Sequence, residues 1–198
     1  MTLKDRDSAT KKKIVDSAIK LILQGEAANM TVRGIASEAG VGPALVNYHF
    51  HTKENLIDIA LDTFFTKALE SGQSNLEMLV LPADEKLRFS LKGYGAFLAM
   101  YPGISRTYIL NSLVRNIFDD SGDKVIKHQI PLLKELFKDR DDAGLIADLM
   151  LIIGTIQMIF LRSEEFKRLT DIDFFNDRER DSFIDGLTDR LFDMEVKK

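Results

Sequence analysis

Apolar residues recur at helical spacing along most of the chain, and the first such stripe lies near the N-terminus. It consists of five residues spaced to share one helix face: Ile14, Val15, Ala18, Leu21 and Ile22. This spacing predicts a helix that begins at about Ser8 or Thr10 and ends at Gln24, since Gly25 is a natural helix stop. Three consecutive lysines, 11–13, would then lie in the first turn, where the helix dipole disfavours cations. Such a basic cluster indicates either an external anion or a solvated lysine run.

Two short helices follow. Thr31 is a good N-cap for the segment TVRGIASEAG, which Gly40 should end. Gly42 and Pro43 then open a helix that reaches only Tyr48 or Phe50, because proline suits the first helical position. Helices this short need a scaffold to be stable, and a glycine-containing turn between two of them is typical of a helix-turn-helix.

The remaining pattern is helical throughout. Thr52 caps a helix over 53–71, and further helices are predicted over five ranges: 82–101, 104–118, 122–138, 141–162 and 178–194. Residues 72–81 and 170–177 are predicted to be loops. Because no long stretch alternates apolar and polar residues, the sequence predicts an all-α fold.

Residues 141–162 are apolar on nearly every side. A membrane span needs about 20 mostly apolar residues, but Asp148 and Gln157 interrupt this run and both of its flanks are charged. We therefore expect no membrane association and favour packing between subunits. The helix over 178–194 would pair with it through a stripe that can equally be intrachain core: Phe183, Leu187, Leu191 and Met194.

Composition narrows the function classes. The chain has 198 residues, no cysteine, three histidines and a net charge of −4. Its N-terminus has no apolar signal-peptide region, so we expect a cytoplasmic protein. A metal site at His49 and His51 near Glu54 is disfavoured, because helical residues two apart point to different sides. With no phosphate-binding glycine loop and no nucleophile elbow either, we expect no enzymatic activity, no metal and no cofactor.

The segment VGPALVNYHF carries the candidate DNA-binding chemistry. If Val46 and Phe50 face the scaffold, the other faces of this helix can enter a major groove. Small residues there allow close approach or contact a thymine methyl, and Asn47 can pair with adenine. The candidates at the groove are Gly42, Pro43, Ala44, Leu45 and Asn47. The candidate phosphate donors are Thr31, Tyr48, His49 and Lys53.

Over residues 10–60 the chain resembles the DNA-binding domain of the TetR family of transcriptional regulators. Four segments carry the resemblance: Thr31–Ala36, Ala39–Val41, Asn47–Phe50 and Lys53–Leu56. It implies a homodimeric repressor that binds double-stranded DNA at a palindromic operator and is released by a small-molecule effector. It also implies a base contact by Arg33. In this chain, Asn47 stands where the family usually has tyrosine.

The resemblance further implies a helix-turn-helix domain over 8–54 and a helical effector-binding and dimerisation domain over 55–198. The effector candidates are polar or aromatic residues of the central helices: Tyr94, Phe97, Tyr101, Arg106, Tyr108, Asn111 and Gln157. The alternative for the aromatic residues is a place in the helical core, and for Arg106 an exposed one. An alternative for the whole chain is a dimeric adaptor that binds protein and has lost DNA binding.

Overall fold

The structure, a computed structural model, describes residues 3–24, 30–115 and 120–196. These described residues form helices and connections without a strand, which confirms the predicted all-α class. The helices are α1 (Leu3–Leu23), α2 (Val32–Ala39), α3 (Pro43–Phe50), α4 (Lys53–Met78), α5 (Ala83–Met100), α6 (Pro102–Arg115), α7 (Asp120–Leu136), α8 (Asp142–Leu161), α9 (Ser163–Thr170) and α10 (Asp177–Val196). The predicted stop at Gly25, the predicted end of the 104–118 helix and the side chain of Met194 lie outside the description.

Two helix boundaries differ from the prediction, and one further helix was not predicted. Helix α1 begins at Leu3, with Asp5 in its first turn, where a carboxylate favours the helix dipole. Helix α4 continues seven residues into the predicted loop, to Met78, and the buried side chain of Leu76 anchors this extension. Helix α9 fills a stretch for which no separate helix was predicted. It has Glu164 and Glu165 in its first turn and basic residues in its last, which again suits the dipole.

The chain divides into two compact units. The first comprises the described parts of Met1–Lys67 together with Gly103–Asn111. Its core is built where α1, α2 and α3 meet, around fully buried apolar side chains: Ile14, Ala18, Ile35, Val46, Phe50 and Leu56. Burying a leucine or phenylalanine side chain contributes about 1.5–3 kcal/mol. Packing of this kind holds α2 and α3, which are too short to be stable alone.

The second unit comprises the described parts of Ala68–Pro102 and Ser112–Lys198. Helix α5 packs against α7, α8 and α10, and leucines supply most of that core: Leu87, Leu91, Leu98, Leu133, Leu145 and Leu149. Helices α4 and α6 each contribute residues to both units.

Among the described helices, α8 is long and apolar enough to cross a membrane, and 39% of its most apolar window is buried in the structure. Length and composition are the only grounds for a span, and core helices of globular proteins share both. The carboxylate of Asp148, in the first half of this helix, accepts a hydrogen bond from Arg140. We therefore treat α8 as a packing helix.

Candidate nucleic-acid interface

The turn between α2 and α3 has the capping that its sequence predicts. Thr31 Oγ1 accepts a hydrogen bond from the backbone N–H of Gly34 at 3.0 Å, which begins α2. Gly40 ends α2 with φ 59° and ψ 41°, a left-handed conformation that glycine adopts without cost. The backbone N–H of Val41 donates to the Ala36 carbonyl at 2.9 Å, which completes a Schellman cap. These bonds fix the entry of the chain into α3.

Helix α3 buries one face and exposes another, as predicted. Gly42 is an extended N-cap and Pro43 takes the first helical position. Val46 and Phe50 are buried. The predicted groove residues are all exposed: Gly42, Pro43, Ala44, Leu45 and Asn47. Beside them, Tyr48 exposes 69% of its surface. This exposed set is called the α3 face below. It offers an amide, a phenol and small apolar groups to a partner.

Candidate contacts also flank the α3 face. Arg33 is exposed two residues after the Thr31 cap. Thr31 itself is exposed, although its hydroxyl oxygen is already engaged by Gly34. Lys53 is half-buried at the first position of α4. The contacts of these residues with DNA stay predictions.

His49 does not lie on the exposed surface. Its imidazole is only 5% exposed, and Nε2 lies 3.7 Å from Asp7 Oδ1 on α1. The ring also packs edge-on against Tyr48, with centroids 5.1 Å apart. The expectation that His49 donates to a phosphate therefore conflicts with its position, because the imidazole is turned toward α1. Helical spacing alone could not show this, since residue 49 lies at the border between the two faces of α3.

The lysine run of α1 lies beside the helix-turn-helix. Because α1 begins at Leu3, Lys11, Lys12 and Lys13 are two turns or more inside the helix. The prediction that they lie in its first turn was wrong. Lys11 Nζ lies 5.9 Å from the centre of the Phe50 ring. Lys13 Nζ reaches the turn at Gly40, 3.4 Å from where a β-carbon there would stand. Cationic groups therefore accompany both ends of α3.

The effector candidates separate into two groups. Four belong to the second unit, where Gln157 Nε2 donates to Tyr94 Oη at 2.8 Å and the rings of Phe97 and Tyr101 lie 5.3 Å apart. Two polar residues of the same unit were not among the predicted candidates, Ser90 and Gln129, which are joined by a hydrogen bond from Gln129 Nε2 to Ser90 Oγ. Gln129 could have been noticed in the sequence, because it is a polar residue at helical spacing from the apolar residue Leu133 of α7.

The other three candidates belong to the first unit. The Tyr108 ring stacks on Phe65 with centroids 3.9 Å apart, and Asn111 Nδ2 donates to Asp58 Oδ1 at 3.3 Å. Arg106 is exposed. Tyr108 and Asn111 thus join α6 to α4 within the unit that carries α2 and α3.

An exposed apolar surface runs along α8 and α10 in the second unit. On α8 it consists of Ala147, Met150, Leu151, Gly154 and Met158, of which Leu151 is 68% exposed. Leu151 and Thr155 share a shallow depression with Phe183, Leu187 and Arg190 of α10. The stripe predicted on α10 is therefore split, because Leu191 is buried while Phe183 and Leu187 are only half-buried. This surface is called the α8/α10 face below.

Comparison with known proteins agrees with this geometry. Residues 14–59 match the family model for bacterial regulatory proteins of the tetR family. No curated protein sequence gives a significant match. A TetR regulator from Streptomyces coelicolor shares the fold with a TM-score of 0.71 at 16% identity, over 93% of this chain and 97% of that one.

Two further solved structures show the same fold. A putative TetR-family regulator from Rhodococcus sp. aligns with a TM-score of 0.65 at 16% identity, over 91% of this chain and 97% of that one. The regulator FadR from Bacillus subtilis, solved in complex with stearoyl-CoA, aligns with a TM-score of 0.57 at 15% identity. That alignment covers 90% of this chain and 95% of FadR.

Proposed function

We propose that this chain, a DNA-binding transcriptional regulator that belongs to the TetR family, is a homodimeric repressor of a palindromic operator. A small molecule that binds the second unit would release it from DNA. The observation that carries this proposal is the α3 face, with cationic α1 side chains at both ends of the helix. Exposed groups at the N-terminal half of a recognition helix are the ones that meet base edges.

Each group on and around the α3 face has a defined role in the proposal. Asn47 presents an amide whose donor and acceptor can pair with adenine N6 and N7. Ala44 and Leu45 contact a thymine methyl, and Arg33 reaches a base from α2. Four groups hold the phosphates and set the register: Thr31, Tyr48, Lys53 and the α1 lysines. We assign His49 the role of packing α3 against α1, because its imidazole is buried.

The α8/α10 face supports dimerisation. Monomeric proteins rarely expose large contiguous apolar patches. The α8/α10 face combines the exposed side chains of Met150, Leu151 and Met158 with the depression beside α10. We take a second copy of the chain to be the partner that covers this face. A dimer that holds two recognition helices about 34–36 Å apart would match a palindromic operator. A symmetric dimer would use the same face on both subunits.

Release would be a shift between two conformations of the dimer. An effector acts only if it binds more tightly to the conformation whose recognition helices are wrongly spaced. Helices α4 and α6 have residues in both units, so they are the covalent routes by which the second unit would move α3. FadR was solved with an acyl-CoA, and by analogy an organic effector is proposed here.

The proposal is tested by selecting bound duplexes from a random DNA pool with the purified protein near physiological salt. An enriched palindrome with half-sites about one turn apart supports it. The Tyr48→Ala variant should recover that palindrome with weaker enrichment, and Glu135→Ala, an exposed change on α7, should behave as wild type. Absence of any enriched sequence would contradict the proposal and favour a protein-binding adaptor.

A further inference from the structure

Helix α5 presents two surfaces of different chemistry in the second unit. One is charged, since Arg88 and Lys92 pair with Asp189 and Asp185 of α10 at 2.6 and 3.1 Å. The other is an uncharged stripe whose members are four, three and four residues apart and therefore share one helix face: Ser90, Tyr94, Phe97 and Tyr101. The charged groups of α5 that meet α10 are thus held away from the stripe.

Two amides from neighbouring helices meet this stripe. Gln129 of α7 donates through Nε2 to Ser90 Oγ, and Gln157 of α8 donates through Nε2 to Tyr94 Oη at 2.8 Å. Tyr94 and Gln129 are both buried. The arrangement joins three helices through neutral hydrogen bonds, and none of its six side chains carries a charge at neutral pH. It is called the neutral stripe below.

One buried amide oxygen of the neutral stripe has no partner among the described side chains. Gln129 is only 5% exposed, yet its Oε1 has no hydrogen-bond partner among the described residues. Exchanging the amide oxygen and nitrogen does not remove the problem, because a buried N–H would then lack an acceptor. A buried polar atom without a protein partner costs free energy, so a donor that reaches this oxygen from outside the chain would be favoured.

A second candidate ligand site is Arg180 on α10, which is 3% exposed. Its Nε and Nη1 have no hydrogen-bond partner within the described parts of the chain. An anionic ligand would be its natural partner. However, Arg180 Nη2 already lies 2.8 Å from Asp177 and 3.3 Å from Asp181. An added anion would meet two carboxylates around one guanidinium, so this site disfavours it.

We infer that the effector is an uncharged molecule with an apolar body and one hydroxyl or N–H group that donates to Gln129 Oε1. The inference rests on the proposed effector-release function, since it concerns the same unit. Phe97 and Tyr101 would contact the apolar body of the effector. Tyr94 and Gln157 would limit how far that body enters the unit. An ionised ligand would lose its hydration against the neutral stripe without gaining an opposite charge there.

The test measures direct binding by calorimetry, without DNA, to matched sets of probes. Each set places a hydroxyl, a methyl ether or a carboxylate on the same skeleton, with linear alkyl, phenyl and terpenoid skeletons, and the alkyl set adds the coenzyme A thioester. We expect the hydroxyl compound of at least one skeleton to bind more tightly than its methyl ether, by about tenfold. We expect the charged members of that set to bind weakest.

Variants assign the preference to Gln129. Gln129→Leu should lower hydroxyl binding to the level of the methyl ether, because it removes the amide oxygen. The same change removes the donor to Ser90 Oγ, so urea denaturation checks that the variant is folded. If that variant does not fold, Gln129→Asn, which withdraws the amide by one methylene, should weaken hydroxyl binding and leave ether binding unchanged. Lys127→Leu, an exposed change on the same helix, is the matched control.

Four results would overturn the inference: tighter binding of charged probes, equal binding of ether and hydroxyl, no binding by any skeleton, or hydroxyl binding unchanged by the Gln129 variants. Failure of the proposed effector-release function would give a different experimental result from these four. A hydroxyl compound that binds through Gln129 but does not release operator DNA would refute effector release and leave the ligand assignment intact.

Discussion

The backbone N–H of Thr52 donates to the carbonyl of Phe50 at 2.7 Å, which closes a γ-turn between α3 and α4. His51 is its central residue, with φ 62° and ψ −50°, a strained conformation for a side chain other than glycine. The same carbonyl accepts a hydrogen bond from Asn55 Nδ2 at 2.9 Å. The end of the recognition helix is thus locked to the start of α4 by a turn that its neighbours hold in place.

Replacing His51 by glycine should relieve this strain. We expect His51→Gly to raise the free energy of unfolding by roughly 1 kcal/mol, because relief of about 1–3 kcal/mol exceeds the extra entropy that glycine loses on folding. Urea denaturation measures the change. His51→Ala is the control, since alanine keeps the strain, and equal stability of the two variants would refute the strained turn.

The cap at the start of α2 gives a second stability prediction. Thr31→Ala removes the oxygen that accepts from the Gly34 N–H at 3.0 Å, and should lower the free energy of unfolding by about 1 kcal/mol. Thr31→Ser keeps that oxygen and should retain most of the stability in the same denaturation assay. An alanine variant as stable as wild type would mean that the cap contributes nothing.

Substitutions of Asn47 and Lys53 should change DNA binding in different ways. Asn47→Ala should lose discrimination at one operator position by roughly 1–3 kcal/mol, because a bidentate amide contact specifies one base pair. Lys53→Ala should weaken binding to all duplexes alike and reduce the slope of log affinity against log salt by about 1. Titrations with single-base operator variants at several salt concentrations measure both effects. Equal loss on every sequence for Asn47→Ala would exclude base reading.

The α8/α10 face makes a prediction about assembly. Leu151→Glu places a charge on a side chain that is 68% exposed in one copy, and should shift the protein from dimer to monomer if that face is covered by a second copy. Sedimentation velocity measures the change. Met78→Glu alters a residue that is 79% exposed at the end of α4 and should leave the dimer intact. A dimer that survives Leu151→Glu would place the interface elsewhere.

An ion pair at the junction of α9 and α10 should make the stability of the fold depend on pH. Lys167 Nζ donates to Asp173 Oδ2 at 2.6 Å, and this bond, aided by the Phe175 backbone N–H, holds the pKa of Asp173 below its ordinary value of 3.8. A lowered carboxylate pKa stabilises the fold above the ordinary pKa, and this stabilisation disappears as the pH falls through the folded value. The difference in urea midpoint between wild type and Asp173→Asn should therefore be constant near neutral pH and shrink below pH 3.8. A difference that persists unchanged in acid would contradict this assignment.

The sequence determined the helix-turn-helix better than the rest of the fold, for physical reasons. Thr31, Gly40 and Pro43 act through local backbone chemistry, so their positions as caps could be predicted without knowing the tertiary structure. The extension of α4 depends on burial of Leu76, which only the packed structure provides. The orientation of His49 toward Asp7 depends on α1 starting earlier than its apolar stripe suggests.

The effector candidates show the same limit. Helical spacing placed Tyr94, Phe97 and Tyr101 on one face of α5, but it could not show that Gln129 and Gln157 approach that face from two other helices. Nor could it show that Tyr108 and Asn111 pack in the first unit with α4. Those contacts are long-range, and periodicity carries information only about one helix at a time.

The proposed mechanism requires two recognition helices of one dimer to read two half-sites on the same side of the duplex. It is tested most directly by measuring affinity for the selected operator with about five base pairs, half a turn, inserted between its half-sites. We expect a fall of roughly 1,000-fold toward nonspecific affinity, with partial recovery when a full turn of about ten base pairs is inserted. Affinity that is unchanged by the half-turn insertion would show that the half-sites are read independently, and would contradict the dimeric mechanism.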